Sequence, residues 1–232
     1  MFRHAARASV VLLALVLLAP AVASAQQSIS FNVGYFAVKG EDSRADGDVL
    51  FANRSFHTFD LDELSNASFG AEWLFPLGDY LEGGVGAGFY RRTIPSVYTE
   101  FVNANGAEIE QDFKLRVIPL SATLRFLPLG RHASVQPYVG AGLGVFAWRY
   151  SESGEFVDAD FNVFRNRFVE TGTATGPLVF GGVRIPVANS FAIGGEVRWQ
   201  RAEGEFETPD DFNGDRIDLG GITYQAVLQF RF

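Results

Sequence analysis

From Ser28 onward, apolar and polar residues alternate with a period of two, and Gly, Pro, Asn and Asp interrupt the alternation at intervals. Such a pattern predicts β-strands separated by turns. Eight segments carry it: "SISFNVGYFAV", "NASFGAEWLF", "YLEGGVGAGFYRR", "FKLRVIPLSATLRF", "VQPYVGAGLGVFAW", "GPLVFGGVRIPV", "FAIGGEVRWQR" and "GITYQAVLQFRF". In the first, Ile29, Phe31, Val33, Tyr35 and Ala37 share a face; in the last, Ile222, Tyr224, Ala226, Leu228, Phe230 and Phe232 do. The fourth segment changes parity, since Phe113, Leu115 and Val117 fall on one face and Leu120, Ala122, Leu124 and Phe126 on the other. The change falls at Pro119 and predicts a bulge, because proline cannot donate to the ladder and one extra residue resets the alternation. The parity of Arg184 in the sixth segment is left open.

Connections alternate in length. Polar stretches at 39–64, 93–112, 151–172 and 202–218 alternate with the short "PLGD", "LPLGRHA" and "PVANS". A soluble sandwich or lipocalin gives no reason for that regularity, whereas a barrel crossing a bilayer has tight turns on one side and long loops on the other. The faces agree. Opposite the apolar residues stand Glu72, Glu82, Arg125, Glu196, Arg198 and Arg231, with Gln136, Gln200, Gln225 and Gln229. An outward charged face would leave Trp73, Phe75, Trp199 and Phe230 to fill a narrow interior; an inward one forms a polar core of mixed sign whose members can pair. The expected fold is all-β, an eight-stranded antiparallel up-and-down transmembrane β-barrel. Aromatic residues at the strand ends, Phe75, Tyr80, Phe126, Phe230 and Phe232 at one and Tyr35, Phe89, Trp148, Tyr150 and Trp199 at the other, predict two interfacial girdles.

The start of the chain has a different pattern. Arg3 and Arg7, the apolar run "VVLLALVLLAPAVA" and the small residues Ala23–Ala25 form a secretory signal peptide over 1–25, with cleavage near Ala25/Gln26 and a barrel domain over 26–232. The run is short for an uncleaved anchor helix. Residues 1–25 hold two Arg and no acid, so their loss moves the formal charge from −8 to −10. An exported acidic protein of this kind is not expected to bind nucleic acid. Cysteine is absent, which excludes disulfides, thiol catalysis and Cys-ligated metal.

The chain closes on "AVLQFRF", a strand that stops on phenylalanine. This ending resembles the C-terminal signature of bacterial outer-membrane β-barrel proteins, and the eight-strand pattern is similar to the small OmpA-, OmpX- and OmpW-like barrels. The resemblance implies insertion in the cell outer membrane among its lipids and lipopolysaccharide, and recognition of Phe230 and Phe232 by the barrel assembly machinery. The periplasmic peptidoglycan-binding domain of OmpA is not expected here.

Some small outer-membrane barrels are lipid-modifying enzymes, and the deacylases among them use a Ser–His pair. Here His57 falls in the first long connection and His132 in the short "LGRHA", with no strand-borne base beside a serine, so no catalytic residue is assigned. "DDFNGDRID" spaces Asp211, Asn213 and Asp215 like calcium ligands, but an EF-hand loop needs Gly and Glu where Arg216 and Ile222 stand, so neither metal nor cofactor is expected. Gly84, Gly86 and Gly88, with Gly140, Gly142 and Gly144, face inward on both sides of the fourth segment. They make room for large neighbours such as Tyr90, Arg125 and Tyr138, or line a small water-filled or ligand-holding space. The expected role is structural, surface-interacting or weakly porin-like, with an extracellular ligand as a further partner; a small-solute channel of OmpW-like character is the alternative and a lipid-modifying enzyme the more distant one.

Overall fold

The computed structural model describes residues 27–158 and 160–232; the segment expected to be a signal peptide, 1–25, and its expected cleavage site lie outside them. Eight strands close into one antiparallel barrel: β1 (Ser28–Val38), β2 (Asn66–Pro76), β3 (Leu81–Val102), β4 (Glu108–Phe126), β5 (Gln136–Val157), β6 (Val163–Ala188), β7 (Phe191–Gln200) and β10 (Gly221–Arg231). The ring closes between β1 and β10, in unbroken register from Ser28 opposite Arg231 to Val38 opposite Gly221. Closure leaves no edge with unpaired backbone groups, the condition for strands in hydrocarbon. Between β7 and β10, β8 (Glu203–Glu205) pairs with β9 (Arg216–Asp218), and one short helix, α1 (Val49–Asn53), follows β1. Asp48 caps α1, accepting from Phe51 N at 3.0 Å.

Each strand turns about five apolar residues outward, such as Leu81, Val85, Ala87 and Phe89 on β3 or Phe126, Leu124, Ala122, Leu120 and Ile118 on β4. A tilted strand crosses a bilayer core in about 9–11 residues, so five outward positions match one crossing. β3, β5 and β6 continue well beyond it.

Two expectations change here. The stretches at 93–112 and 151–172 are largely strand, not loop: β3 and β4 turn at residues 103–107, β5 and β6 at 158–162. In the first turn Asn103 N donates to Ala107 O at 2.8 Å, and Gly106 takes the positive φ of 81° that the reversal needs. Nor does β4 bulge at Pro119. Its pairing with β3 keeps one register from Leu81–Phe126 through Tyr90–Val117, and its pairing with β5 is unbroken from Gln111–Gly154 to Phe126–Val139. Burial also alternates along the whole strand without a reset.

What changes at Pro119 is the surroundings. Below it β4 is apolar outside and polar inside, with Arg125 and Thr123 buried. Above it the outward residues are Arg116, Lys114 and Asp112, while Val117, Leu115 and Phe113 are buried inside. The barrel therefore has two storeys, an inside-out one at membrane level and a soluble-type one above it. Trp148 and Tyr150 on β5 belong to the upper core, 3% and 0% exposed, and not to the outer girdle.

Candidate functional site

At membrane level the strands bring Glu72, Arg125, Glu196 and Arg198 together. β2, β4 and β7 lie on different parts of the ring, so these side chains meet only across the lumen. Arg125 pairs with Glu72 and lies 3.5 Å from Glu196; Arg198 reaches Glu196 at 2.8 Å and Glu72 at 3.5 Å. Thr123 donates to Glu72 at 2.6 Å, and Tyr138 and Gln225 donate to Glu196 at 3.0 and 2.8 Å. The Arg125 guanidinium also lies 5.1 Å from the Tyr138 ring centre and 5.0 Å from that of Phe180. Glu82 stands nearer the short turns and pairs at 2.9 Å with Arg184, which faces inward and is fully buried. Arg231 also faces inward but meets amides: it donates to Gln136 at 2.9 Å and to Gln229 at 3.4 Å. Sequence reasoning left Arg184 open because "PLVFGGVRIPV" is apolar on both parities.

The upper storey is filled by the chain's own loops. Val49 and Leu50 of α1, with Leu61 and Leu64, pack among Ile94, Phe113, Leu115, Trp148 and Tyr150, and Phe206, Ile217 and Leu219 close in from the 201–220 segment. Buried Asp48 ties the two loops: Arg44 grips it at 2.7 and 2.9 Å, and Asp218 N donates to it at 2.6 Å.

His57, deep in this plug, has Nδ1 3.1 Å from Asn53 O and Nε2 2.7 Å from Gln111 Oε1. Both ring nitrogens face oxygens, so a neutral ring satisfies only one. Gln111 in turn donates to Glu152 at 3.1 Å, as do Asn53 at 2.5 Å and Tyr150 at 2.9 Å. Burial holds the His57 pKa below its usual 6.5, against the two hydrogen bonds, and pushes Glu152 above 4.5. The consequences oppose each other. As pH falls through 6.5, an undocked His57 takes a proton that the docked one refuses, so docking weakens. A docked Glu152 keeps its proton to higher pH, so docking weakens as pH rises above 4.5. In a Glu152→Gln background the histidine acts alone: protease nicking of residues 39–65 should accelerate between about pH 7.5 and about pH 5.5, and His57→Gln should remove the acceleration. Equal rates at both pH values would count against a protonation-sensitive plug.

Between the storeys, on the glycine side of β4, lies a cavity of about 80 Å³ lined in part by Gly86, Gly88, Ser121, Gly144, Tyr90 and Arg198. Three glycines of the tracts, Gly144 at the cavity wall among them, are covered by side chains. A Cβ on Gly140 would strike the Phe180 ring, one on Gly144 the Phe146 ring, and one on Gly84 would strike Glu72 and Thr123. The room at Gly84, Gly140 and Gly144 is thus taken by Glu72, Thr123, Phe180 and Phe146, and a small space remains beside Gly86 and Gly88.

Phe230 faces outward, in edge contact with Phe31 at 5.8 Å and Phe191 at 4.8 Å, and Phe232 N donates to Gln27 O at 2.9 Å. In the acidic loop, Asn213 turns to Asn53 at 2.6 Å and Asp215 to Arg216 at 3.0 Å; among the described residues no three His, Cys, Asp or Glu side chains converge as a metal site. His132 lies in an exposed turn 3.7 Å from Asp79.

The closed register, lipid-compatible belt and polar lumen define a small transmembrane β-barrel of the outer-membrane type. Comparison with protein-family models finds no match, and comparison with curated proteins finds none either. Solved structures similar to it in fold include outer membrane protein W of E. coli (12% identity, covering 90% of this chain and 98% of that one, TM-score 0.48), Neisserial surface protein A (15%, 89% and 97%, 0.46) and Ail, the attachment invasion locus protein of Yersinia pestis, in complex with a heparin analogue (14%, 90% and 100%, 0.45).

Proposed function

We propose that the protein is a sealed outer-membrane barrel whose role is structural and surface-interacting, exercised by a rigid crown outside the bilayer. The observation that carries this reading is the double closure of the lumen: the Glu72–Arg125–Glu196–Arg198 group fills the membrane storey and the loop plug around Leu50 fills the one above. Eight strands enclose little free space to begin with. The crown is built from hairpin β3–β4, hairpin β5–β6 and the two tied loops, so it offers a fixed shape to an extracellular ligand. A channel for small apolar solutes is the weaker reading, because a cavity of about 80 Å³ between two closures is no path. Two measurements test the proposal. Fractionation should place the protein in the outer membrane as a heat-modifiable band. In planar bilayers the wild type should give small or intermittent current, well below that of a sixteen-stranded porin; a large, steady conductance would overturn the sealed reading in favour of the channel.

A further inference from the structure

Immediately above the lipid-facing belt, the outer wall carries cations with no carboxylate to meet. Phe89, Ile118 and Ala147 form the last apolar row across β3, β4 and β5. Two residues further along each strand, roughly 7 Å higher, the row is Arg91 opposite Arg116 opposite Arg149. Lys114 follows on β4, opposite Ser151, and Arg167 reaches in from β6. Among the described residues none of these five cations lies within 4.0 Å of an acidic oxygen, although ten other cationic side chains, counting His132, do. Asp112 and Glu110, the outward acids further up β4, form no such pair either.

Like charges directly opposite on adjacent strands repel, and here three guanidiniums stand in one row. Partial desolvation, then Arg91, Arg167, Arg149 and Arg116, push the Lys114 ammonium below its ordinary value. The five side chains and Ser151 surround a hollow of about 160 Å³. Ser151, which points out of the barrel, also lines it and is only 3% exposed. Such a row of like charges costs stability, and an anion in the hollow would relieve the repulsion.

We infer that this cradle binds the phosphate groups of an outer-leaflet glycolipid, lipopolysaccharide in chemical class, whose acyl chains lie against the belt below. Position selects the occupant. The hollow opens sideways at headgroup height and is continuous with the Phe89–Ile118–Ala147 row, so a ligand with phosphate above and hydrocarbon below fits both parts. Basic clusters at this height recognise anionic headgroups, and arginine forks suit phosphate oxygens. The inference rests on the outer-membrane reading, since that membrane supplies phosphorylated glycolipid on the loop side. Fractionation tests the location; the experiment below tests the site on purified protein, so the two fail separately.

Wild type and Arg116→Gln/Arg149→Gln, folded in uncharged detergent, are compared by unfolding temperature and by native mass spectrometry. Each is tested with added bis-phosphorylated lipid A, with dephosphorylated lipid A and with inorganic phosphate. Lipid A should raise the unfolding temperature of the wild type and remain bound to it, while the dephosphorylated form should do neither. Without lipid the double variant should be at least as stable as the wild type, because repulsion has been relieved; with lipid A it should bind about tenfold more weakly or worse, having lost two charge-assisted contacts. Lys114→Gln, a milder change, should show the same reversal to a smaller extent and serves if the double variant fails to fold. Equal gain from the dephosphorylated lipid, or equal gain in wild type and variants, would overturn the site. The full effect from inorganic phosphate alone would overturn the glycolipid as its occupant.

Discussion

Replacing Arg125 with alanine is expected to cost the barrel about 3–5 kcal/mol, the usual consequence of removing one partner from a buried ionic group. Arg125 is 1% exposed and stands between Glu72 and Glu196, themselves 2% and 3% exposed. Without it two carboxylates share a confined space with Arg198 as the cation in contact with both. The loss should appear as a lower urea midpoint and an earlier heat-modifiability transition. Arg125→Lys should fall between, since it keeps the charge but not the fork that reaches Glu72 while lying near Tyr138 and Phe180. Combining Arg125→Met with Glu72→Gln should recover much of the loss, because it removes charge from both sides. Arg201→Ala, which breaks an exposed pair with Glu203, is the control and should change stability by less than about 1 kcal/mol. Equal effects at Arg125 and Arg201 would mean that the membrane storey is not held by its ionic group.

The two storeys also explain which parts of this fold were legible in the sequence. At membrane level, period-2 alternation separates belt from lumen cleanly, so the inward facing of Glu72, Glu82, Arg125, Glu196, Arg198 and Arg231 follows from parity alone. Above the membrane the same strands exchange solvents. The apolar parity of β4 flips at Pro119 without any change of register. Read on the assumption of one solvent outside, the flip looks like a bulge, and Trp148 and Tyr150 look like girdle residues. Strand ends at 93–102 and 151–157 look like loops because polar residues fall there on both parities, Thr93, Ser96, Thr99 and Glu100 in the first and Ser151, Glu152, Ser153 and Glu155 in the second. A signal for the plug was present in the first polar stretch: Asp48 ahead of "VLFAN", then Leu61 and Leu64 three apart, is a capped turn and an apolar pair in a segment that would otherwise need no apolar residues. The basic row was not legible. Arg91, Arg116 and Arg149 lie far apart in sequence, and only the pairing register of three strands puts them side by side.

The plug and the ionic group are closures in series, and that arrangement has an electrical signature. Leu50 is fully buried among the upper core residues. Truncating such a leucine to alanine costs about 2–5 kcal/mol; Leu50→Asp should cost the docked plug more, since its carboxylate arrives without a partner. The expected result is a barrel that still assembles, with residues 39–65 released and rapidly nicked by protease. Its current should nevertheless stay low, because the Arg125 group still fills the storey below. Arg125→Ala alone should also conduct little, for the reciprocal reason: the roof stays shut. Only the double variant should carry steady current, entering past the displaced α1 and leaving along the glycine side of β4, where the cavity beside Gly86 and Gly88 already lies. Resistances in series make the combined effect far larger than the sum of the single ones, and this non-additivity distinguishes two closures from one. Full current in Leu50→Asp alone would show that the ionic group does not seal. A silent double variant that still assembles would show that the membrane storey is closed by something other than these four side chains.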